Sequence, residues 1–197
     1  MFNFNALLAR MKYIPRWSLM RQSTPEDVAQ HTTEVMFVAH SLCLLANNVF
    51  GRSVNSEKVV SCALYHDVSE ILTGDLPTPV KYNNPRRQTA YKEVEKRAVN
   101  QLVETAHPDL QQSLRPYLTA SVLTDYEKQL LKGADRLCAL TKCIEELQGG
   151  NKEFQSAFNT TFAALKEMHL EEVDFFMENM LEGYSLCLDE LAKIKVK

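Results

Sequence analysis

Apolar side chains recur at steps of three and four from Val28 through Val35, Val38, Leu42, Leu45 and Val49, and His31 occupies a position of the same stripe. This period predicts a helix with one buried face. Ser23-Thr24-Pro25-Glu26-Asp27 reads as its start, with Thr24 as cap, Pro25 at the first position and acids in the first turn; Gly51 ends it. His40 falls on another side of the helix. Before it, Phe4, Leu7, Leu8 and Met11 fit a short core-packing helix.

A second helix is predicted from about Ser56 to Leu72, stopped by Gly74, Pro77 and Pro79. Val60, Leu64, Val68 and Ile71 form one face, and Val59 and Ala63 extend it, so this helix reads as buried nearly all round. Further helical patterns follow at about 86–106 and 109–120. A clear one starts at Thr124, where Glu127 completes a capping box, and it carries Leu130, Ala134, Leu137, Thr141, Ile144 and Leu147 inward until Gly149-Gly150. Phe154 to Leu165 and Val173 to Leu191 continue the period. With no alternating strand, internal repeat or low-complexity tract, the fold reads as an all-α compact helical bundle, one domain over residues 1–197.

Composition narrows the class. A chain of 197 residues with 45% hydrophobic content can bury one substantial core, and a net charge of -3 provides no general field for a nucleic-acid polymer or an anionic membrane. An anionic partner must therefore meet a local patch. Five cysteines, odd in number and never in close pairs, read as reduced core residues. No apolar run approaches the roughly 18 residues of a membrane span, and no secretory signal is visible, so a cytoplasmic location is expected. Arg10, Lys12, Arg16 and Arg21 with no acid before Glu26 would also suit a presequence; Asn159-Thr160-Thr161 matches a glycosylation acceptor by chance.

The segment HDVSEILTGDLPTP raises the chemical question, because it places His66, Asp67, Glu70 and Asp75 in a stretch that reads as buried. His31, the His66-Asp67 pair and Asp135 come from three helices at core-facing or core-edge positions. Two imidazoles and two carboxylates suit a divalent transition metal such as manganese, iron, cobalt, nickel or zinc, which compensates charges costing several kcal/mol each to desolvate. Such a metal lowers the pKa of water and provides a nucleophile near neutral pH. Glu70 lies one turn beyond the pair and is placed to handle the proton. His40, His107 and His169 read as ordinary histidines.

The order His31, His66-Asp67, Asp135 resembles the H...HD...D pattern of the HD-domain metal-dependent phosphohydrolases, and EDVAQHT, ALYHDVSEILTGDLPTPVKY and KGADRLCALTKCIEEL resemble the bacterial 5′-deoxynucleotidases. The likeness runs from about residue 8 to the C-terminal helix. It implies an HD-domain bundle that hydrolyses 5′-deoxyribonucleoside monophosphates to deoxynucleoside and phosphate, as a cytoplasmic homodimer activated by a divalent metal, with cobalt favoured. His31, His66, Asp67 and Asp135 would hold the metal, with His31, Asp67 and Asp135 also near the substrate, and Glu70 would assist the attacking water. Arg16 would orient the phosphate, and Trp17 would pack on the sugar and leave no room for a 2′-hydroxyl. The loop Asp75-Leu76-Pro77-Thr78 would contact the nucleoside, Asp75 accepting from the 3′-hydroxyl. The competing readings are a pyrophosphohydrolase or phosphodiesterase of the same superfamily, and a non-catalytic nucleotide-binding module.

Overall fold

The computed structural model describes residues 1–77, 81 and 84–193. Helix α1 (Phe4–Leu8) and a 3₁₀ turn (Met11–Tyr13) precede the long α2 (Val28–Asn48); α3 (Ser56–Ala63), the single turn α4 (Glu70–Thr73), α5 (Pro85–Glu104) and α6 (Pro108–Leu118) follow. The second long helix, α7 (Asp125–Gln148), leads through a 3₁₀ turn (Lys152–Phe154) to α8 (Gln155–Lys166), α9 (Glu171–Asn179), another 3₁₀ turn (Leu181–Ser185) and α10 (Leu188–Leu191). Among the described residues there is no strand beyond an isolated antiparallel bridge between Pro15 and Asp27.

Helix α2 runs through the core, packed on α3 and α7. Val35, Leu42, Val59, Cys62, Leu130, Leu137, Leu140, Val173 and Phe176 build the larger apolar cluster; Phe4, Met11, Val28, Val68, Leu102, Val103 and Leu118 build a second. Each fully buried aliphatic side chain contributes roughly 1.5–3 kcal/mol. The two clusters meet along a seam. On α2 it falls between Val28 and Val35, where His31 sits; past α3 it falls between Ala63 and Val68, where His66 and Asp67 sit. Close approach of α7 and α9 requires Gly133, since a Cβ there would lie 2.8 Å from Val173 Cγ2.

Three boundaries differ from the sequence reading. Helix α2 is capped by Asp27 rather than Thr24: the Asp27 carboxylate accepts from the Ala29 and Gln30 amides, and Gln30 closes the box. This leaves Glu26 outside the helix. The helix expected over 56–72 divides, because from Tyr65 to Ile71 the amides bond mostly three residues back, as in His66 to Ala63 at 3.3 Å and Glu70 to Asp67 at 3.0 Å. The His66 ring supplies the reason. Its Nδ1 also reaches the Ala63 carbonyl, at 2.7 Å, taking the acceptor that a regular helix would offer to Asp67. The same region is not buried all round, since Leu64 and Leu72 are exposed. The last predicted helix likewise breaks after Asn179: its apolar stripe runs out of partners, and Leu186, Leu188 and Leu191 face solvent.

Candidate metal centre

His31 is wholly buried at the seam, and its Nε2 lies 3.0 Å from Asp135 Oδ1 and 3.7 Å from Asp67 Oδ2. His66 Nε2 lies 3.1 Å from that same Asp67 oxygen. His31, His66 and Asp67 each present a ligand atom within 4.8 Å of the others, with Asp135 against His31 from α7. Donors each about 2.0–2.2 Å from one ion stand roughly 3 Å or a little more apart, so this spacing fits a first-row divalent cation.

The His66 hydrogen bonding provides an independent test of that fit. A carbonyl only accepts, so Nδ1 facing Ala63 carries the proton, and in the neutral ring Nε2 presents its lone pair inward. That Nε2 is buried and makes no hydrogen bond among the described residues. A histidine held by a backbone carbonyl on one nitrogen and turned toward a carboxylate and a second imidazole with the other is oriented for metal ligation.

The electrostatics show what charge the centre requires. Burial disfavours charge on His66, yet the Asp67 carboxylate outweighs it and raises the ring to about 9. Burial is likewise outweighed at His31, raised by hydrogen bonding to Asp135 and Glu26, while Asp67 and Asp135 are held below the usual carboxylate range despite burial, chiefly by His66 and His31 respectively. Two ionised carboxylates here demand positive charge between them. Protonated rings or a divalent cation both meet that demand.

Glu70, opening α4, is buried, its Oε2 makes no hydrogen bond among the described residues, and its acid is pushed up to about 9 by burial first, then by the charges of Asp67 and Asp75. Burial also raises Asp75, which is close enough to act on both Glu70 and Arg16; Leu76 and Pro77 continue the loop half-buried. Thr78 lies outside the described residues. Lys81 is ion-paired with Glu95 at 2.7 Å, on the α5 side of the loop. His40 is exposed, and His107 caps α6 by accepting from the Asp109 amide.

Arg16 extends its guanidinium to the centre, with Nη1 3.4 Å from Asp67 Oδ2 and Nε 3.5 Å from Glu26 Oε1. Its Nε is buried against Glu26, short of hydrogen-bond geometry among the described residues. Trp17 adopts a left-handed backbone, φ 57°, uncommon for a bulky residue. Its indole N–H donates to Glu26 Oε2 at 2.7 Å, and its ring rests 5.2 Å from that of Phe154. Behind this loop, Glu146 accepts from the Ser23 and Thr24 amides, from Asn151 and from Lys142. Sequence reasoning assigned Glu26 only to a first helical turn. The structure instead gives it a buried carboxylate shared among Arg16, Trp17 and His31.

An all-helical bundle with histidine, an adjacent histidine-aspartate pair and a further aspartate converging from three elements defines the HD-domain phosphohydrolase class. A solved HD-domain phosphohydrolase from Listeria innocua superposes with TM-score 0.82 over 92% of this chain and 88% of its own, at 24% identity. The cyanophage S-2L HD phosphohydrolase, solved bound to dA and one catalytic Zn²⁺, superposes with TM-score 0.65 over 90% of this chain and 95% of its own, at 19% identity. Within that class the chain belongs to the 5′-deoxynucleotidase YfbR-like family, whose model matches residues 3–184. It is 46% identical over 192 residues to a 5′-deoxynucleotidase of Photorhabdus laumondii, covering 98% of each chain, and 44% identical over 191 residues to 5′-deoxynucleotidase YfbR of Escherichia coli O1:K1, covering 97% of this chain and 96% of the relative. Membership of this family makes it a phosphoric monoester hydrolase acting on deoxynucleoside monophosphates.

Proposed function

We propose that His31, His66, Asp67 and Asp135 hold one divalent cation and that the family reaction, hydrolysis of a 5′-deoxyribonucleoside monophosphate, is carried out beside it by Arg16 and Glu70. The observation that carries this reading is the inward His66 Nε2, which makes no hydrogen bond among the described residues and faces Asp67 and His31 at ligand spacing. Bound there, the cation supplies polarisation of a phosphoryl oxygen and acidification of water.

The protein's own groups do the rest. Arg16 offers a planar fork to the phosphate oxygens and neutralises the charge that spreads onto them as the bond to the nucleoside breaks. Glu70 is a general base whose proton affinity is tuned upward by its burial, so that positive charge in the centre brings it near neutrality. It takes the proton as the water oxygen bonds to phosphorus and the bond to O5′ breaks on the opposite side, where the departing oxygen is protonated from solvent, giving phosphate and deoxynucleoside. Trp17 closes the sugar side against a 2′-hydroxyl, and Asp75, with Leu76, Pro77 and Thr78 along the same loop, receives the 3′-hydroxyl.

The reading is completed by a cytoplasmic homodimer of one-domain subunits loaded with cobalt or manganese. Phe37 and Leu44, exposed on α2, offer apolar surface for the second subunit. The test is phosphate release from dAMP and AMP by chelator-stripped protein, with and without added cobalt or manganese. Metal-dependent release from dAMP with little from AMP is expected. Equal release from both removes the role of Trp17, and release of pyrophosphate from larger nucleotides, with none from dAMP, overturns the substrate.

A further inference from the structure

One carboxylate joins the two halves of this site. Glu26 Oε1 lies 3.5 Å from His31 Nδ1 and 3.5 Å from Arg16 Nε, while Oε2 accepts the Trp17 indole N–H at 2.7 Å. Its main chain is fixed as well: the Arg16 amide donates to the Glu26 carbonyl at 3.0 Å, the Glu26 amide donates to Gln22 Oε1 at 3.2 Å, and Val28 N–H donates to the Ile14 carbonyl beside them. Residues 14–16 and 26–28 are thus tied side by side, and the carboxylate between them is only 8% exposed.

We infer that Glu26 is a positioning residue that sets the His31 ring for the cation and, through the same carboxylate, sets Arg16 and Trp17 for the substrate, so that metal binding and sugar selection are coupled. This rests on the proposed metal-dependent reaction. The physical case is one of placement. With His31 Nε2 turned to Asp135 and Asp67, Nδ1 must point elsewhere, and the acceptor that faces it is Glu26. A carboxylate behind a ligating imidazole fixes ring orientation and tautomer and raises its basicity. A simple structural ion pair would need one cation. Glu26 instead accepts the hydrogen bond of Trp17, which holds a strained backbone, and lies within ion-pair distance of both His31 Nδ1 and Arg16 Nε, three groups with separate parts in the proposed site.

Because Trp17 is the sole tryptophan of the chain, its emission reports on this contact directly. Metal-stripped wild type, Glu26→Gln and Glu26→Asp would be titrated with Zn²⁺ alone, following both chelator competition and tryptophan emission, and kcat/KM would then be measured for dAMP and AMP. In wild type, emission changes in step with one equivalent of Zn²⁺. Glu26→Gln binds Zn²⁺ at least about tenfold more weakly, loses the emission change and shows a lower dAMP to AMP ratio, with Glu26→Asp recovering part of each. A folded Glu26→Gln protein with wild-type Zn²⁺ affinity, or with an unaltered dAMP to AMP ratio, overturns the inference. If neither variant folds, the wild-type titration decides: Zn²⁺ binding without an emission change overturns it, and a concerted change upholds it. Wild type that binds no Zn²⁺ and releases no phosphate fails the metal reading itself, which is a distinguishable result.

Discussion

Glu70 illustrates how burial sets chemistry at a single residue. Its acid, pushed up to about 9, is already neutral at pH 7 before any cation enters, so replacing it with the neutral, nearly isosteric Gln removes no folded-state charge. Glu70→Gln should therefore fold like wild type and still bind Zn²⁺ while kcat falls by about 10²–10⁴-fold, the usual contribution of general acid–base catalysis. Parallel Zn²⁺ titration and dAMP turnover check this, and unchanged turnover would remove Glu70 from the mechanism. That His31, the His66-Asp67 pair and Asp135 would lie near one another was legible from their core-facing or core-edge helical positions and from the H...HD...D resemblance; that they hold a cation is the proposal the Zn²⁺ titration tests. Glu26 was not legible, since its meaning depends on a bridge between two loops that no local pattern announces.

At the level of elements, the loop bearing Arg16 and Trp17 is held by α7. Lys142 and Glu146, one turn apart and both buried, form an ion pair at 2.6 Å, and the Glu146 carboxylate also accepts the Ser23 and Thr24 amides and Asn151. Burial opposes ionisation of Glu146, but these donors outweigh it and hold the acid well below its ordinary 4.5. A depressed carboxylate contributes stability that is fully present above its unfolded value and is lost as pH falls through the folded one. The stability gap between wild type and Glu146→Gln should thus be constant near neutrality and shrink below about pH 5, as read by urea unfolding at stepped pH. A gap independent of pH would show that Glu146 is not ionised in its network. The long helices and the Thr124-Glu127 cap were readable from period and capping chemistry. The tightened turn at 64–69 was not, because it follows from the His66 ring competing for the Ala63 carbonyl, a contact that hydrophobic spacing does not encode.

For the whole molecule, the centre lies where the two apolar clusters meet, so the groups that would hold a cation also join the halves of the core. Asp67 is the common element, within 3.7 Å of His31, 3.1 Å of His66 and 3.4 Å of Arg16. An ion bound there binds the folded chain only, because residues 31, 66, 67 and 135 converge through tertiary structure, and mass action then makes it a stabiliser. At one hundred times its dissociation constant the gain is about 2.7 kcal/mol, which for a chain of this size raises the midpoint of thermal unfolding by about 5–10 °C. Differential scanning calorimetry of chelator-stripped protein, with and without Zn²⁺, reads this directly. Asp67→Asn should abolish the rise, since it removes charge at the point shared by both rings, whereas an equal rise in that variant would mean that the stabilising ion binds elsewhere. Stripping the metal should also speed exchange of amides on both sides of the seam, near Val28 and near Val68, because the cross-link joins both clusters rather than one.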